Sequence, residues 1–140
     1  MESNTVKTFW KGDMTFHSTN PGGDIVMDAS KEIGGNDNGL RPKAMMLSSL
    51  AGCSGIDIAM LVKKMKVEIE TFDIEVEGML TEEHPKYYNQ VHCIFNFYGK
   101  KLNEDKLKKI VDLSVEKYCG VMAMFRQFAD ITIDIKFHNA

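Results

Sequence analysis

Arginine is scarce in this chain, which has only two, Arg41 and Arg126, among 17 basic residues. Acidic residues number 20, so the formal net charge is −3. Surfaces that bind nucleic acid usually carry a basic stripe, and no such stripe interrupts this sequence. Short lysine clusters at 63–66 and 106–109 are interpreted as solvated helix faces. We therefore do not expect nucleic acid as a partner.

Long apolar runs are also missing. We expect no stretch to supply the roughly 20 apolar residues that a membrane-spanning helix requires. Residues 1–8 are polar and do not resemble a secretory signal. These features predict a cytoplasmic protein that does not contact a membrane. Three cysteines in a reducing compartment do not make a disulfide framework, so each of them needs a local explanation.

Motifs for metals and phosphates are lacking as well. The four histidines show no paired spacing with each other or with a cysteine, so we expect no metal site. The glycine-rich segment 34–39 lacks the Gly-Lys-Ser/Thr ending of a phosphate-binding loop. It is predicted to be an ordinary loop.

At 140 residues the chain is long enough for one domain with a core, and we expect a single domain over residues 1–140. The apolar patterning predicts an α+β fold. Its elements are an N-terminal β-meander at about 5–28, a central helix at about 42–66, a β-hairpin at about 70–99, helices at about 103–129 and a final strand at about 130–138. The two-residue turn of the first hairpin is placed at Gly12-Asp13. Because the central helix is apolar around most of its circumference, we expect it to be buried on most sides.

Two cysteines occupy unlike settings. Cys53 lies among small residues inside the central helix, and Cys119 closes a later helical pattern. A thiol on a small-residue surface, with a second thiol offered by another element, favours peroxide chemistry. The first sulfur would attack, and the second would resolve the sulfenic acid as a disulfide. The same small residues also fit a close helix crossing without chemistry. Cys93 alternates with Val91 and Phe95, which predicts core packing.

Activation of Cys53 requires help from outside its helix. It lies about three turns from the helix start, beyond the reach of the helix dipole. Asp57, one turn away, disfavours a thiolate because a nearby negative charge raises a thiol pKa. The candidate cations are therefore Arg41 and Arg126, although either could be an ordinary surface residue.

Three segments together resemble the OsmC/Ohr family, the osmotically inducible protein C and organic hydroperoxide resistance proteins. They are Arg41-Pro42 followed by Met46-Leu47-Ser48-Ser49-Leu50-Ala51-Gly52-Cys53, then Glu82-Glu83-His84-Pro85-Lys86, and Glu116-Lys117-Tyr118-Cys119-Gly120-Val121. The resemblance implies an OsmC-like fold, in which an intertwined homodimer has two long central helices wrapped by antiparallel β-sheets. It places the active sites at the subunit interface.

The resemblance also implies a mechanism. Cys53 would be the peroxidatic residue and Cys119 the resolving one, in a thiol peroxidase that reduces organic, fatty-acid-like hydroperoxides. A dithiol reductant, lipoyl-type or other, would recycle the disulfide. No metal or organic cofactor is implied.

The chain departs from active family members at two places. Those members hold the thiolate with an arginine on the N-terminal strands and a glutamate near the start of the central helix. Here the N-terminal strands contain no arginine, and Ala44 is the expected counterpart of the glutamate. Two alternatives therefore stay open: a non-catalytic dimeric protein that binds a hydrophobic small molecule, and a redox sensor.

Overall fold

The computed structural model describes residues 1–139 of the chain. Its contacts group into two units, 1–46 and 47–140, which are considered separately below. The elements are β1 (Lys7–Trp10), β2 (Phe16–Asn20), β3 (Gly23–Met27), a 3₁₀ turn (Lys31–Ile33), α1 (Pro42–Lys64), β4 (Thr71–Leu80), β5 (Tyr88–Gly99), α2 (Glu104–Leu113), a π-helical turn (Ser114–Tyr118), α3 (Gly120–Phe125) and β6 (Asp130–Asn139). Ala140 lies outside the described residues. The single domain stays a prediction.

The N-terminal unit contains an antiparallel sheet in the order β1-β2-β3, as the predicted meander requires. Its first turn differs from the prediction. Trp10 pairs with Phe16, so the connection is the five-residue loop 11–15 rather than a two-residue turn. Lys11 N–H donates to the Thr15 carbonyl at 2.8 Å and closes this loop. Gly12 and Asp13 adopt positive φ there, at 103° and 47°.

A buried carboxylate organises the segment after β3. Asp28 is 2% exposed and accepts four hydrogen bonds, from Thr15 Oγ1 and from the backbone N–H groups of Ala29, Asn36 and Asn38. Burial acts to raise the pKa of Asp28, but these hydrogen bonds outweigh it and leave that pKa lowered. The loop is thus folded around one negative charge.

The second unit contains a sheet in the order β4-β5-β6. Strands β4 and β5 pair antiparallel, whereas β5 and β6 pair parallel, with Gln90 opposite Asp130. The chain leaves the end of β5, passes through α2, the π-helical turn and α3, and returns beside the start of β5. A crossover of this kind makes the pair parallel. The predicted antiparallel pairing therefore holds for the first sheet and for β4–β5, whereas β5 and β6 differ from it.

One face of the second sheet carries the core. The inward side chains of β5 are Val91, Cys93, Phe95 and Phe97, all nearly inaccessible to solvent. Leu107, Ile110 and Val111 of α2 join the same cluster, as do Leu50 and Ile58 of α1. The predicted core position of Cys93 is confirmed.

Helix α1 is long and apolar, but the chain itself covers little of it. Only Leu50, Ser54 and Ile58 are fully buried, while Ile56 is 65% and Met60 61% exposed. Burial on most sides is therefore not achieved within one copy of the chain.

The expectation of no membrane-length apolar stretch needs correction. Within residues 1–139, α1 is the one helix with the length and composition to cross a membrane. The core helix of a soluble protein can pass the same test, so this property is weak evidence for a membrane span.

Candidate thiol site

The second unit brings the two predicted cysteines together. Cys53 lies on α1, and Cys119 is the extended residue between the π-helical turn and α3, with φ −75° and ψ 102°. Cys53 lies close enough to Cys119 to raise the pKa of its thiol, and both thiols are free. Cys119 is 4% exposed, whereas Cys53 is half-buried. Of the two side chains, that of Cys53 is thus the more exposed.

The π-helical turn sets the position of Cys119. The widened turn lets the Cys119 N–H donate to the Ser114 carbonyl at 2.8 Å, five residues earlier. Cys119 then serves as the N-cap of α3, and its sulfur accepts from the Met122 N–H at 3.3 Å. The sulfur therefore has a fixed direction, set by the backbone on both sides of it.

A hydroxyl from α1 completes the surroundings of this sulfur. Ser54 is fully buried, and its Oγ donates to Cys119 Sγ at 3.2 Å. Burial raises the pKa of the Cys119 thiol, and the hydrogen bonds from Ser54 and Met122 oppose that rise. Contact with Cys53 raises the pKa further. The raised pKa keeps Cys119 a neutral thiol at neutral pH.

A second buried serine ties the elements together. Ser114 Oγ lies 3.1 Å from Asp57 Oδ2 and 3.3 Å from the Ser54 carbonyl oxygen, and it donates toward both. The Asp57 carboxylate, expected to disfavour a thiolate at Cys53, thus accepts a hydrogen bond from Ser114. Sequence reasoning assigned Ser54 only to a small-residue surface and did not single out Ser114. The available signal was a polar residue directly after Cys53 in an otherwise apolar stretch.

The two arginines have other partners. Arg126 forms a salt bridge with Glu116 at 3.1 Å. Arg41 pairs with Asp37 and donates to the carbonyls of Gly39 and Asp28, all within the N-terminal unit. Among the described contacts, neither guanidinium bonds to a cysteine. A role for either in stabilising a thiolate stays a prediction.

Arg126 does act electrostatically on the third cysteine. Burial raises the pKa of Cys93 to about 11, a charge on Cys119 raises it further, and Arg126 lowers it. Cys93 therefore stays a neutral thiol in the core, near the pair but without a described bond to it. Within residues 1–139, no group of three or more side chains is arranged to hold a metal ion.

A groove lies between α1 and the π-helical turn. Its volume is about 270 Å³, and it is lined by Asp57, Met60, Leu61, Lys64 and Tyr118. Tyr118 precedes Cys119 in the chain, and Asp57 accepts the hydrogen bond from Ser114. The lining of the groove thus includes the residue before Cys119 but neither cysteine.

Comparison with known proteins decides the family. The sequence model described as OsmC-like protein matches residues 34–134. This chain belongs to the OsmC family. The predicted OsmC/Ohr resemblance is thereby confirmed. This chain is similar in sequence to Protein YhfA of Escherichia coli strain K12. The two are 28% identical over 124 residues, which cover 88% of this chain and 90% of YhfA.

Solved structures confirm the α+β OsmC-like fold. A hypothetical protein from Aquifex aeolicus VF5 superposes with a TM-score of 0.87 at 29% identity, covering 100% of this OsmC-family chain and 99% of its own. The organic hydroperoxide resistance protein OhrB of Bacillus subtilis gives a TM-score of 0.66 at 20% identity, with 96% and 98% covered. At that identity the likeness to OhrB concerns the fold alone.

Proposed function

We propose that this protein is a thiol peroxidase that reduces organic, fatty-acid-like hydroperoxides, with Cys53 peroxidatic and Cys119 resolving. The observation that carries the proposal is a half-buried thiol, Cys53, near enough to the buried thiol of Cys119 to shift its pKa. Membership of the OsmC family supports it. So does the fold shared with OhrB, which is named an organic hydroperoxide resistance protein.

The proposed cycle has three balanced steps. The Cys53 thiolate attacks the outer peroxide oxygen, the O–O bond breaks, and the alcohol leaves with a proton while Cys53 becomes a sulfenic acid. The Cys119 sulfur then attacks the Cys53 sulfur, which releases water and forms the disulfide. A dithiol reductant reduces this disulfide by two exchange steps and is itself oxidised to a cyclic disulfide.

The groove beside Cys119 suits an apolar substrate. Met60, Leu61 and Tyr118 supply its apolar wall, and methionine side chains adapt to irregular apolar shapes. An acyl chain lying on this wall would bring its hydroperoxide near the thiol pair. Preference for organic peroxides over hydrogen peroxide follows, because only the organic substrates gain from burying apolar surface.

We further propose that the protein acts as a homodimer in the cytoplasm. Ile56 on α1 and Met124 on α3 are each more than half exposed in the single chain. Exposed apolar side chains that cluster on such elements are typical of protein interfaces. A second copy would cover them and place the groove near the subunit boundary. Light scattering of the purified protein measures the oligomeric state, and a strict monomer would contradict this part.

Stopped-flow oxidation tests the peroxidase. The reduced protein is mixed with cumene hydroperoxide or hydrogen peroxide, and intact mass is measured at each time point. We expect rapid loss of two hydrogen atoms in mass with the organic peroxide. Cys53→Ser should abolish the reaction, and Cys119→Ser should stop it at a sulfenic acid.

Cys93→Ala is the matched control, because it removes the third thiol and leaves the pair intact. It should react like the parent protein. A Cys53→Ser variant that reduces cumene hydroperoxide as fast as the parent would refute the proposal.

The binding-protein and redox-sensor alternatives rest on the arginines. Among the described contacts neither Arg41 nor Arg126 bonds to Cys53, and Ala44 stands where a glutamate is expected. A sensor would form the disulfide without efficient recycling by dithiols. A binding protein would react no faster than a free thiol, and would retain fatty acid in native mass spectra.

A further inference from the structure

The least expected feature of the thiol site is the hydroxyl aimed at the buried sulfur. Cys119 Sγ accepts from Ser54 Oγ at 3.2 Å and from the Met122 N–H at 3.3 Å. Ser54 is 1% exposed. Its neighbour Ser114 uses its own hydroxyl proton on Asp57 and on the Ser54 carbonyl. The Ser54 hydroxyl proton is donated to the Cys119 sulfur.

Unequal access to the two sulfurs decides where a reductant can attack. Cys53 is half-buried, whereas Cys119 is 4% exposed. Thiol–disulfide exchange requires the attacking thiolate to approach one sulfur in line with the bond, while the other sulfur leaves as a thiolate. The Cys53 side chain is the less buried of the two. Attack at Cys53 makes Cys119 the leaving group, and its negative charge then appears in a buried place.

A buried thiolate without hydrogen bonds is costly, and a poor leaving group slows exchange. We propose that Ser54 is a positioning residue that, together with the Met122 N–H, holds the Cys119 thiolate as the leaving group during reduction of the Cys53–Cys119 disulfide, so that the reductant attacks Cys53. This inference rests on the disulfide of the proposed function and specifies how that disulfide is opened.

Reduction of the Cys53–Cys119 disulfide by a dithiol takes two exchange steps. A thiolate of the dithiol bonds to Cys53 Sγ, the Cys53–Cys119 bond breaks, and its electron pair stays on Cys119 Sγ, where Ser54 and Met122 donate to it. The second thiol of the reductant, once deprotonated, attacks its own sulfur in the mixed disulfide. Cys53 is released as a thiolate, and the reductant leaves as a cyclic disulfide.

The test starts from disulfide made with diamide, which oxidises a thiol pair without any peroxide. Single-turnover reduction by dithiothreitol is then followed for the parent, Ser54→Ala and Ser54→Thr. Loss of a hydrogen bond to a charged group predicts reduction about tenfold slower in Ser54→Ala. Ser54→Thr keeps the hydroxyl and should recover most of the parent rate.

Ser114→Ala is the matched control. It removes a hydroxyl that is equally buried and makes no described bond to sulfur, so its reduction rate should stay close to that of the parent. A general packing defect would slow both alanine variants and would not be reversed by threonine. Equal rates for the parent and Ser54→Ala would overturn the proposal.

The site of attack is measured separately. A short reaction with 2-mercaptoethanol is quenched with iodoacetamide, and the mixed disulfide is located by peptide mass. We expect the adduct on Cys53, and an adduct on Cys119 would overturn the proposal. Failure of diamide to form the disulfide would do so as well. A disulfide that forms with diamide but not with peroxide would contradict the proposed peroxidase and leave this inference standing.

Discussion

The two units each contain one buried polar centre, and the two centres are built in opposite ways. In the N-terminal unit the centre is the Asp28 carboxylate, satisfied mainly by backbone N–H groups. In the second unit it is the neutral thiol of Cys119, which accepts from the Ser54 hydroxyl and the Met122 N–H. A permanent charge held by backbone donors fixes one loop conformation. Neutral donors beside a thiol allow a charge to appear and disappear, as redox chemistry requires.

The two centres should also weaken at opposite ends of the pH range. Because hydrogen bonds leave the pKa of Asp28 lowered, the N-terminal centre weakens only in acid. Burial raises the pKa of Cys119 and Cys93, so the second centre weakens only in alkali. Five experiments test this contrast, from the largest expected effect to the smallest.

Removing the charge of the N-terminal centre should have the largest effect. Asp28→Ala leaves four donors without their shared acceptor, and unpaired buried polar groups are costly. We expect amide protection to be lost throughout residues 29–40, measured by hydrogen exchange with mass spectrometry. Asp24→Ala, at an exposed carboxylate of β3, is the matched control. Unchanged exchange in Asp28→Ala would show that the loop does not depend on this charge.

The pH dependence of the same centre has a definite sign. Because the folded pKa of Asp28 is lowered, its contribution is present above the unfolded pKa of about 3.9 and is lost as pH falls through the folded value. Asp28→Asn should remove that part of the acid sensitivity. The protection factors of the loop amides should be lower at pH 3 than at pH 5 in the parent, and should change much less in the variant.

Cys93 should make the second unit sensitive to alkali. Between the ordinary thiol pKa of 9.0 and the folded value of about 11, the unfolded chain loses the thiol proton while the native state keeps it. Stability should therefore fall by about 1.4 kcal/mol for each pH unit in that window. Urea unfolding at pH 8 to 11 measures it. Cys93→Ala should flatten the profile, and identical slopes in parent and variant would rule out this source.

Ser114→Ala should destabilise the second unit by about 1–2 kcal/mol, because it leaves the buried Ser54 carbonyl and the Asp57 carboxylate short of a donor. Thermal or urea unfolding gives the value. Thr132→Ala, at an exposed position of β6, should change stability little. Equal effects in the two variants would mean that the buried serine contributes nothing special.

The smallest effect is expected at a simple helix cap. Asn103 Oδ1 accepts from the Lys106 N–H at 3.2 Å at the start of α2. Asn103→Ala should cost about 1 kcal/mol, measured by urea unfolding, and should leave hydrogen exchange in the loop 29–40 unchanged. Asn103→Asp should keep most of the stability, since it retains the accepting oxygen. A larger loss than in Ser114→Ala would invert the order proposed here.

Much of the fold follows from local pattern. The alternation in β4, β5 and β6 predicted strands close to the observed bounds, because one face of each strand is apolar. Asn103 was a recognisable helix start. The pairing of β5 with β6 was not predictable in this way. It depends on where the crossover through α2 and α3 returns the chain, and no residue in β6 specifies its neighbour.

The sequence by itself determined the family, the apolar helix, the strands and the two cysteines worth attention, because periodicity and short motifs are local properties. Only the tertiary structure decided what surrounds those cysteines. The influence of Cys53 on the pKa of Cys119, the donation from Ser54 and the salt bridge of Arg126 with Glu116 all join groups on different elements. Such contacts depend on how α1 packs against the segment from Ser114 to Met122. That packing is settled by burial of the whole core rather than by any short stretch of sequence.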